Sequence, residues 1–88
     1  MTEQFDDAVL QCFLDKQEQL LYKKVFSTKE EARGFLEEGM AVVVDSVKEV
    51  WEFFEEEGLD TYGLKGKKIL EASEVFTVGD GRYLIVEA

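Results

Sequence analysis

The sequence predicts a single α+β domain over residues 1–88: two amphipathic helices packed on a small, mainly antiparallel sheet with a C-terminal β-hairpin. Three observations predict this fold. Two segments with apolar residues at helical spacing each begin at a capping pair and end near a glycine. A Gly-Asp-Gly turn lies between two apolar runs near the C-terminus. A chain of 88 residues is long enough for one hydrophobic core and too short for two.

The first quarter of the chain fits two structures. Apolar residues recur there at helical spacing, at Leu10, Phe13, Leu14, Leu20 and Leu21. The same stretch also suits a hairpin, with strands at residues 8–14 and 20–26 around a polar turn at residues 15–18. Because residues 22–26 alternate in polarity just before a helix cap, we favour the hairpin and expect it to join the sheet.

The first predicted helix covers about residues 28–38. Ser27 and Glu30 have the spacing of a capping box, in which the hydroxyl and the carboxylate each accept a bond from a backbone amide. Gly39 follows the last turn, and we expect it to adopt the left-handed conformation that ends many helices. Residues 40–44 are a short β-branched run, which predicts a strand in preference to the first turns of a longer second helix.

The second predicted helix begins at Ser46, which has the capping spacing with Glu49, and ends at Gly58. One side of the helix carries an apolar stripe, formed by Val47, Val50, Trp51 and Phe54. The opposite side carries carboxylates at spacings of four, three and four residues, namely Asp45, Glu49, Glu52 and Glu56. The pattern predicts a helix with one buried face and one strongly acidic face.

Two apolar runs predict the C-terminal hairpin. They cover residues 69–78 and 83–87, on either side of residues 79–82. The Asp-Gly pair in this connection favours a tight hairpin turn. We expect both strands to belong to the same antiparallel sheet.

The residue inventory excludes most catalytic and metal-binding chemistry. Histidine is absent, which excludes histidine-dependent catalysis, and one cysteine without histidine cannot supply the four ligands of a zinc site. The carboxylates form many pairs, and none is singled out as the acid and base of a glycosidase. Cys12 lies in an apolar run and is predicted to be a buried structural thiol. We therefore predict a non-enzymatic protein with no catalytic residue, no metal and no cofactor.

Charge is the main functional signal in the sequence. The net charge is −10, and residues 30–60 hold 11 acids against only Arg33 and Lys48. Such a charge repels nucleic acids and anionic membranes and attracts basic protein surfaces. We predict a protein-binding module of the inhibitor, immunity or nucleic-acid-mimic type, with a basic partner surface. Its predicted partner-binding residues are Asp45, Glu49, Glu52, Phe53 and Glu56.

Phe53 is included because it lies at the flank of the apolar stripe of the second helix. It either widens the contact with the core or anchors a partner. Exposed sheet edges and this flank also offer surface for a homodimer.

A basic loop supports an alternative function. The loop runs from Gly63 to Lys68 and contains three lysines between glycines, and Arg82 lies on the predicted hairpin turn. Glycines let backbone amides approach an anion and lysines supply charge, so the alternative is a binder of a nucleotide or phosphate. The loop lacks the spacing and the final Ser or Thr of a Walker A motif. The residues of this alternative anion site are Lys65, Lys67, Lys68 and Arg82.

The sequence also predicts a cytoplasmic location. No apolar run approaches about 18 residues, and the first seven residues are acidic where a secretory signal is basic. A single cysteine cannot form an intramolecular disulfide, which fits a reducing compartment.

Overall fold

The computed structural model describes residues 5–59, 61 and 63–87 of the chain, which begin with three helices and end with two strands. In chain order the elements are α1 (Asp7–Lys16), α2 (Glu18–Leu21), α3 (Lys29–Glu38), β1 (Met40–Val44), α4 (Val47–Glu57), a 3₁₀-helix (Gly66–Glu71), β2 (Val75–Thr77) and β3 (Tyr83–Glu87). Within the described residues, no helix has the length and apolar character needed to cross a membrane.

The last strand of the chain lies in the middle of the sheet. β1 and β2 both pair with β3 in antiparallel orientation, which gives the strand order β1-β3-β2. Ile85 of β3 lies opposite Val42 in one ladder and opposite Val75 in the other. The predicted α+β class and the antiparallel sheet are confirmed.

The first quarter of the chain is helical, and the favoured prediction of an N-terminal hairpin is wrong. α1 begins after Asp6, whose carboxylate accepts a hydrogen bond from the Val9 amide at 3.1 Å. A strand would place the consecutive residues Val9 and Leu10 on opposite faces, whereas a helix buries both on one side together with Phe13. The predicted second strand, residues 20–26, begins in α2 and continues into an irregular connection of residues 22–28, which also contains the predicted cap Ser27.

α3 begins one residue later than predicted. The Glu31 amide donates to Thr28 Oγ1 at 3.2 Å, and the Thr28 amide donates to Glu31 Oε1 at 3.2 Å. The capping box is therefore Thr28 with Glu31, not Ser27 with Glu30. The left-handed conformation predicted for Gly39 is also wrong. Gly39 has φ −93° and ψ −171°, because the chain passes directly from the helix into the extended backbone of β1.

β1 and α4 agree with the sequence prediction. The Glu49 amide donates to Ser46 Oγ at 3.2 Å, which caps the start of the helix. Gly58 has φ 68°, the left-handed conformation expected after the last turn. The predicted apolar stripe packs into the core through Val47, Val50, Trp51 and Phe54.

The C-terminal hairpin is present but shorter than predicted. β2 has only three residues, since residues 69–71 of the predicted first strand belong to the 3₁₀-helix and residues 72–74 form a turn. The connection is a loop of residues 78–82, closed by a hydrogen bond from the Val78 amide to the Arg82 carbonyl at 3.1 Å. The connection therefore begins one residue earlier than the predicted connection of residues 79–82. Positive φ values of 102° at Gly79 and 92° at Gly81 allow the wider loop.

The sheet separates two hydrophobic cores. Alternate residues of β3 point to opposite faces, so Leu84 and Val86 belong to the first core and Ile85 belongs to the second. α1 and α3 pack on the first core, and α4 and the 3₁₀-helix pack on the second. The two acidic helices predicted from the sequence therefore lie on opposite faces of the sheet.

Candidate protein-binding surface

The predicted carboxylates lie on the solvent side of α4. The outer face of α4 is the name used below for Asp45, Glu49, Glu52, Phe53 and Glu56. All four acids of this face are exposed, while Val50 and Phe54 of the same helix are buried. Helix geometry therefore directs Glu49, Glu52 and Glu56 away from the second core, and Asp45 lies in the turn that precedes the helix.

The negative charge of this face is only weakly neutralised. Lys48 is the single base of α4. Among the described ion pairs, none includes a carboxylate of the outer face. Glu49 accepts one local hydrogen bond, from the Ser46 hydroxyl at 3.3 Å. The charges are therefore available to a partner of opposite sign.

Phe53 lies at the edge of the outer face. Its side chain is half-buried and packs against the second core. The neighbouring Trp51 donates its indole N–H to the Gly66 carbonyl at 3.0 Å, which ties α4 to the 3₁₀-helix. One part of the Phe53 ring thus contributes to the fold, and the remainder is accessible beside the carboxylates.

The basic loop of the alternative site leads into the 3₁₀-helix. The side chains of Lys65, Lys67 and Lys68 are exposed. Gly63 has φ 81° and Gly66 has φ 55°, a backbone conformation that residues with a side chain rarely adopt. The structure therefore leaves the three predicted lysines accessible to an anion from solution.

Arg82, the fourth residue of the alternative site, binds two carboxylates of its own chain. One guanidinium nitrogen lies 2.9 Å from Asp6 Oδ2, and the other lies 2.6 Å from Asp80 Oδ2. Hydrogen bonds from Arg82 hold the pKa values of Asp6 and Asp80 below their usual range. The same bonds, which Arg82 donates to Asp80 and Asp6, raise the pKa of Arg82, and the bonds to Asp80 have the larger effect. These ion pairs join the start of α1 to the hairpin loop and balance the guanidinium charge.

Cys12 is a buried structural thiol, as predicted. Its Sγ donates to the Thr77 carbonyl at 3.3 Å, and burial raises the pKa of the thiol. Lys16 Nζ donates to the same carbonyl at 2.9 Å, and Gln19 Nε2 donates to the Val75 carbonyl at 2.7 Å. Side chains of α1 and α2 therefore bind carbonyls along β2, which protects this edge of the sheet.

Residues 22–25 form an exposed surface that the sequence interpretation missed. Tyr22 is 90% exposed and has φ 65°, an unusual conformation for a residue with a side chain. Val25 is 48% exposed, and Lys23 and Lys24 are also exposed. One signal was present in the sequence: residues 19–29 contain three lysines and no acid, in a chain with twice as many acids as bases.

Neither a metal cluster nor a pocket marks a chemical site in the part of the chain that the structure describes. No group of three or more histidine, cysteine, aspartate or glutamate side chains there is placed to hold a metal ion. No pocket is found on this part of the molecule either.

Comparison of the chain with protein-family models, with curated proteins and with solved structures gives no significant match.

Proposed function

We propose that this protein is a non-enzymatic binding module that presents the outer face of α4 to a basic protein surface. The observation that carries the proposal is the row of exposed carboxylates on α4, with Lys48 as the only base of that helix. Clustered carboxylates repel one another, so a surface of this kind gains when a partner supplies positive charge. Charge complementarity accelerates association and fixes the orientation of the partner.

The proposed partner is either a protein with a basic nucleic-acid-binding site or a toxin with a basic surface. This protein would then act as an inhibitor in the first case and as an immunity protein in the second. Glu49, Glu52 and Glu56 follow the helix with about 5 Å of axis per charge, from a rise of about 1.5 Å per residue. One strand of duplex DNA has about 3.4 Å of axis per phosphate. The carboxylates are thus spaced about 1.5 times as widely as the phosphates of one strand, and this regular row of negative charges supports a resemblance to a short stretch of phosphate backbone.

A charge-reversal experiment tests this proposal. The triple variant Glu49→Lys, Glu52→Lys and Glu56→Lys changes the outer face. A matched control reverses three exposed acids of α3 on the opposite side of the sheet, Glu30, Glu37 and Glu38. A partner retained from the native cell by the wild type and the control, and not by the α4 variant, is then purified for binding measurements. Circular dichroism verifies that each variant is folded.

The salt dependence of the purified pair is the decisive measurement. Affinity should fall at least tenfold between about 0.05 M and 0.5 M salt, because the Debye length shrinks from about 14 Å to about 4 Å. An affinity that stays constant over this range, or that survives reversal of the three α4 glutamates, overturns the proposal.

The alternative function is binding of a nucleotide or phosphate by the basic loop. It is supported by the exposure of Lys65, Lys67 and Lys68. The ion pairs of Arg82 with Asp6 and Asp80 weigh against a part for Arg82 in that site. Calorimetry with inorganic phosphate and a panel of nucleotides tests it. Heat of binding by the wild type that disappears when the three lysines are changed to alanine supports the alternative, and no heat with the wild type rejects it.

A further inference from the structure

Residues 22–25 are held in a fixed position on the surface. The Tyr22 amide donates to the Glu18 carbonyl at 3.0 Å. The amides of Val25 and Phe26 both donate to Gln17 Oε1 at 2.8 Å. The exposed side chains between these two anchors are thus carried by an ordered backbone, and an ordered surface loses less conformational freedom when it binds a partner.

Tyr22 contributes little to the stability of the fold. With 90% of its surface exposed, its side chain buries almost nothing within the chain. Its φ of 65° is one that glycine adopts without steric cost and tyrosine does not. Tyrosine is one of the residues enriched in binding hot spots, and Tyr22 is displayed here between a helix and two lysines.

The same chain carries a surface of complementary character. On α4, Phe53 has Glu49 four residues before it and Glu56 three residues after it, so both carboxylates are its neighbours on the helix surface. Residues 22–25 place an aromatic ring beside lysines, and the outer face of α4 places a half-buried aromatic ring beside glutamates. Each surface contains an aromatic ring, and the two surfaces are opposite in charge, so they are complementary.

We propose that the protein binds a second copy of itself, with residues 22–25 of one copy seated on the outer face of α4 of the next. Phe26 anchors residues 22–25 in the first core, where its ring centroid lies 5.1 Å from that of Phe35. α4 packs on the second core, across the sheet. The two surfaces therefore cannot meet within one molecule. A contact of two different surfaces repeats from copy to copy, so it builds a chain or closed ring of molecules.

Ionic strength should affect this contact in two opposing ways. Each copy has a net charge of −10, which repels a second copy at long range. At about 0.15 M salt the Debye length is about 8 Å, so this repulsion is screened while lysine and glutamate in direct contact still attract. At about 1 M salt the Debye length is about 3 Å and the contact is weakened as well. Association is therefore strongest at intermediate salt.

Sedimentation velocity measures this behaviour directly. The wild-type protein is studied from about 0.02 to 1 mM, a range that detects a weak association, at about 0.01, 0.15 and 1 M salt. The weight-average sedimentation coefficient should rise with concentration, with the largest rise at the middle salt. A wild-type protein that remains monomeric at every concentration and salt overturns the proposal.

Charge-reversal variants identify the surfaces. Lys23→Glu with Lys24→Glu, and Glu52→Lys with Glu56→Lys, should each weaken self-association at least tenfold, because each loses one of the two complementary faces. The matched control is Lys67→Glu with Lys68→Glu, which makes the same change in the other basic segment and should associate like the wild type. If this control weakens association as much as the change at Lys23 and Lys24, the assigned surface is wrong.

Mixing the two disrupted variants is the sharpest test. Each retains one intact face, and the two reversed faces are again opposite in charge, so an equimolar mixture should form the complex that each variant alone has lost. Both variants keep a net negative charge, so overall attraction between them cannot produce the complex. Absence of this complex overturns the proposal.

Tyr22→Gly separates binding from folding. It should raise or preserve the melting temperature, since it relieves the backbone, and should weaken self-association at least tenfold. Unchanged self-association in this variant contradicts the role of the ring.

The inference uses the same face of α4 as the proposed function but does not rest on it. A basic partner that binds α4 should compete with the next copy of the chain. If no basic partner is found, sedimentation of the wild-type protein still tests self-association independently. If self-association is absent, the salt-dependent binding of a basic partner is unaffected.

Discussion

Gln17 and Phe26 are joined by two hydrogen bonds, from Gln17 Nε2 to the Phe26 carbonyl at 2.9 Å and from the Phe26 amide to Gln17 Oε1 at 2.8 Å. The same side chain donates to the Leu14 carbonyl at 3.0 Å and accepts from the Val25 amide at 2.8 Å. Gln17 is only 1% exposed, and its amide is fully paired. One side chain thus fastens the connection between α2 and α3 to the junction of α1 and α2.

Removing this amide should be costly. Gln17→Ala removes the partner of four partly buried backbone groups, the amides of Val25 and Phe26 and the carbonyls of Leu14 and Phe26. We therefore expect the free energy of unfolding to fall by about 2 to 4 kcal/mol. Urea unfolding followed by circular dichroism measures the change. The control is Gln11→Ala, which removes an exposed side chain bonded to Asp15 at 2.8 Å and should cost less than about 0.5 kcal/mol. Equal losses in the two variants contradict the structural role of Gln17.

Gln17 also explains why residues 8–26 were predicted incorrectly. Their apolar residues fit both a helix and a hairpin, and the choice depends on contacts across the fold. A polar glutamine carries no local signal that it will be buried, because its partners lie eight and nine residues further along the chain. By contrast, both ends of α4 were predictable, since Ser46 and Gly58 act on the helix turns next to them.

The ion pairs of Arg82 should make the free energy of unfolding depend on pH in the acidic range. It lowers the pKa of Asp6 and Asp80 in the folded protein, so the folded state takes up protons less readily than the unfolded chain. The stabilisation is present above the unfolded pKa of about 3.9 and is lost as the pH falls through the lower folded values. The free energy of unfolding of the wild type should therefore fall more steeply below about pH 4 than that of Arg82→Met.

Urea unfolding at a series of pH values measures both curves. Lys29→Met is the control, because the ion pair of Lys29 with Asp7 is 4.0 Å long and the Asp7 side chain is 86% exposed. Its curve should run parallel to that of the wild type. A constant separation between the wild type and Arg82→Met at all pH values contradicts the prediction.

The start of α3 offers a test with two adjacent hydroxyls. Thr28→Ala removes the side chain that accepts from the Glu31 amide, and we expect a loss of about 1 kcal/mol in the free energy of unfolding. Ser27 takes part only through its backbone amide, which donates to Glu31 Oε1 at 3.1 Å. Ser27→Ala should therefore cost less than about 0.5 kcal/mol. Chemical denaturation of the two variants measures both losses. A larger loss in Ser27→Ala than in Thr28→Ala would assign the cap to Ser27.

Two glycines should respond to alanine in opposite directions. Gly34 lies inside α3, and a Cβ atom there meets nothing within 4 Å, so Gly34→Ala should stabilise the protein by about 0.5 to 1 kcal/mol. Gly58 has φ 68°, and Gly58→Ala should destabilise it by about 1 kcal/mol. Thermal unfolding of both variants shows the two signs. A loss of stability in Gly34→Ala indicates that α3 is contacted by something at that position.

The two candidate surfaces differ in how far the sequence could reveal them. Glu49, Glu52 and Glu56 share a side of α4 because of helix geometry alone, so their exposure followed from the spacing. The separation of α3 from α4 by the sheet did not follow, because it depends on the order of the strands. Tyr22 was placed among residues of a predicted strand, and its exposure results from the long-range bonds of Gln17.

The position of β3 has a consequence for how the protein is made. Synthesis from the amino end produces both edge strands before residues 83–87, yet each edge strand pairs only with β3 in the described sheet. A nascent chain that stops short of Tyr83 has no sheet on which either core can close. The domain should therefore fold in one step after β3 emerges, and its folding rate should be limited by the search of β3 for β1, which lies about 40 residues earlier in the chain.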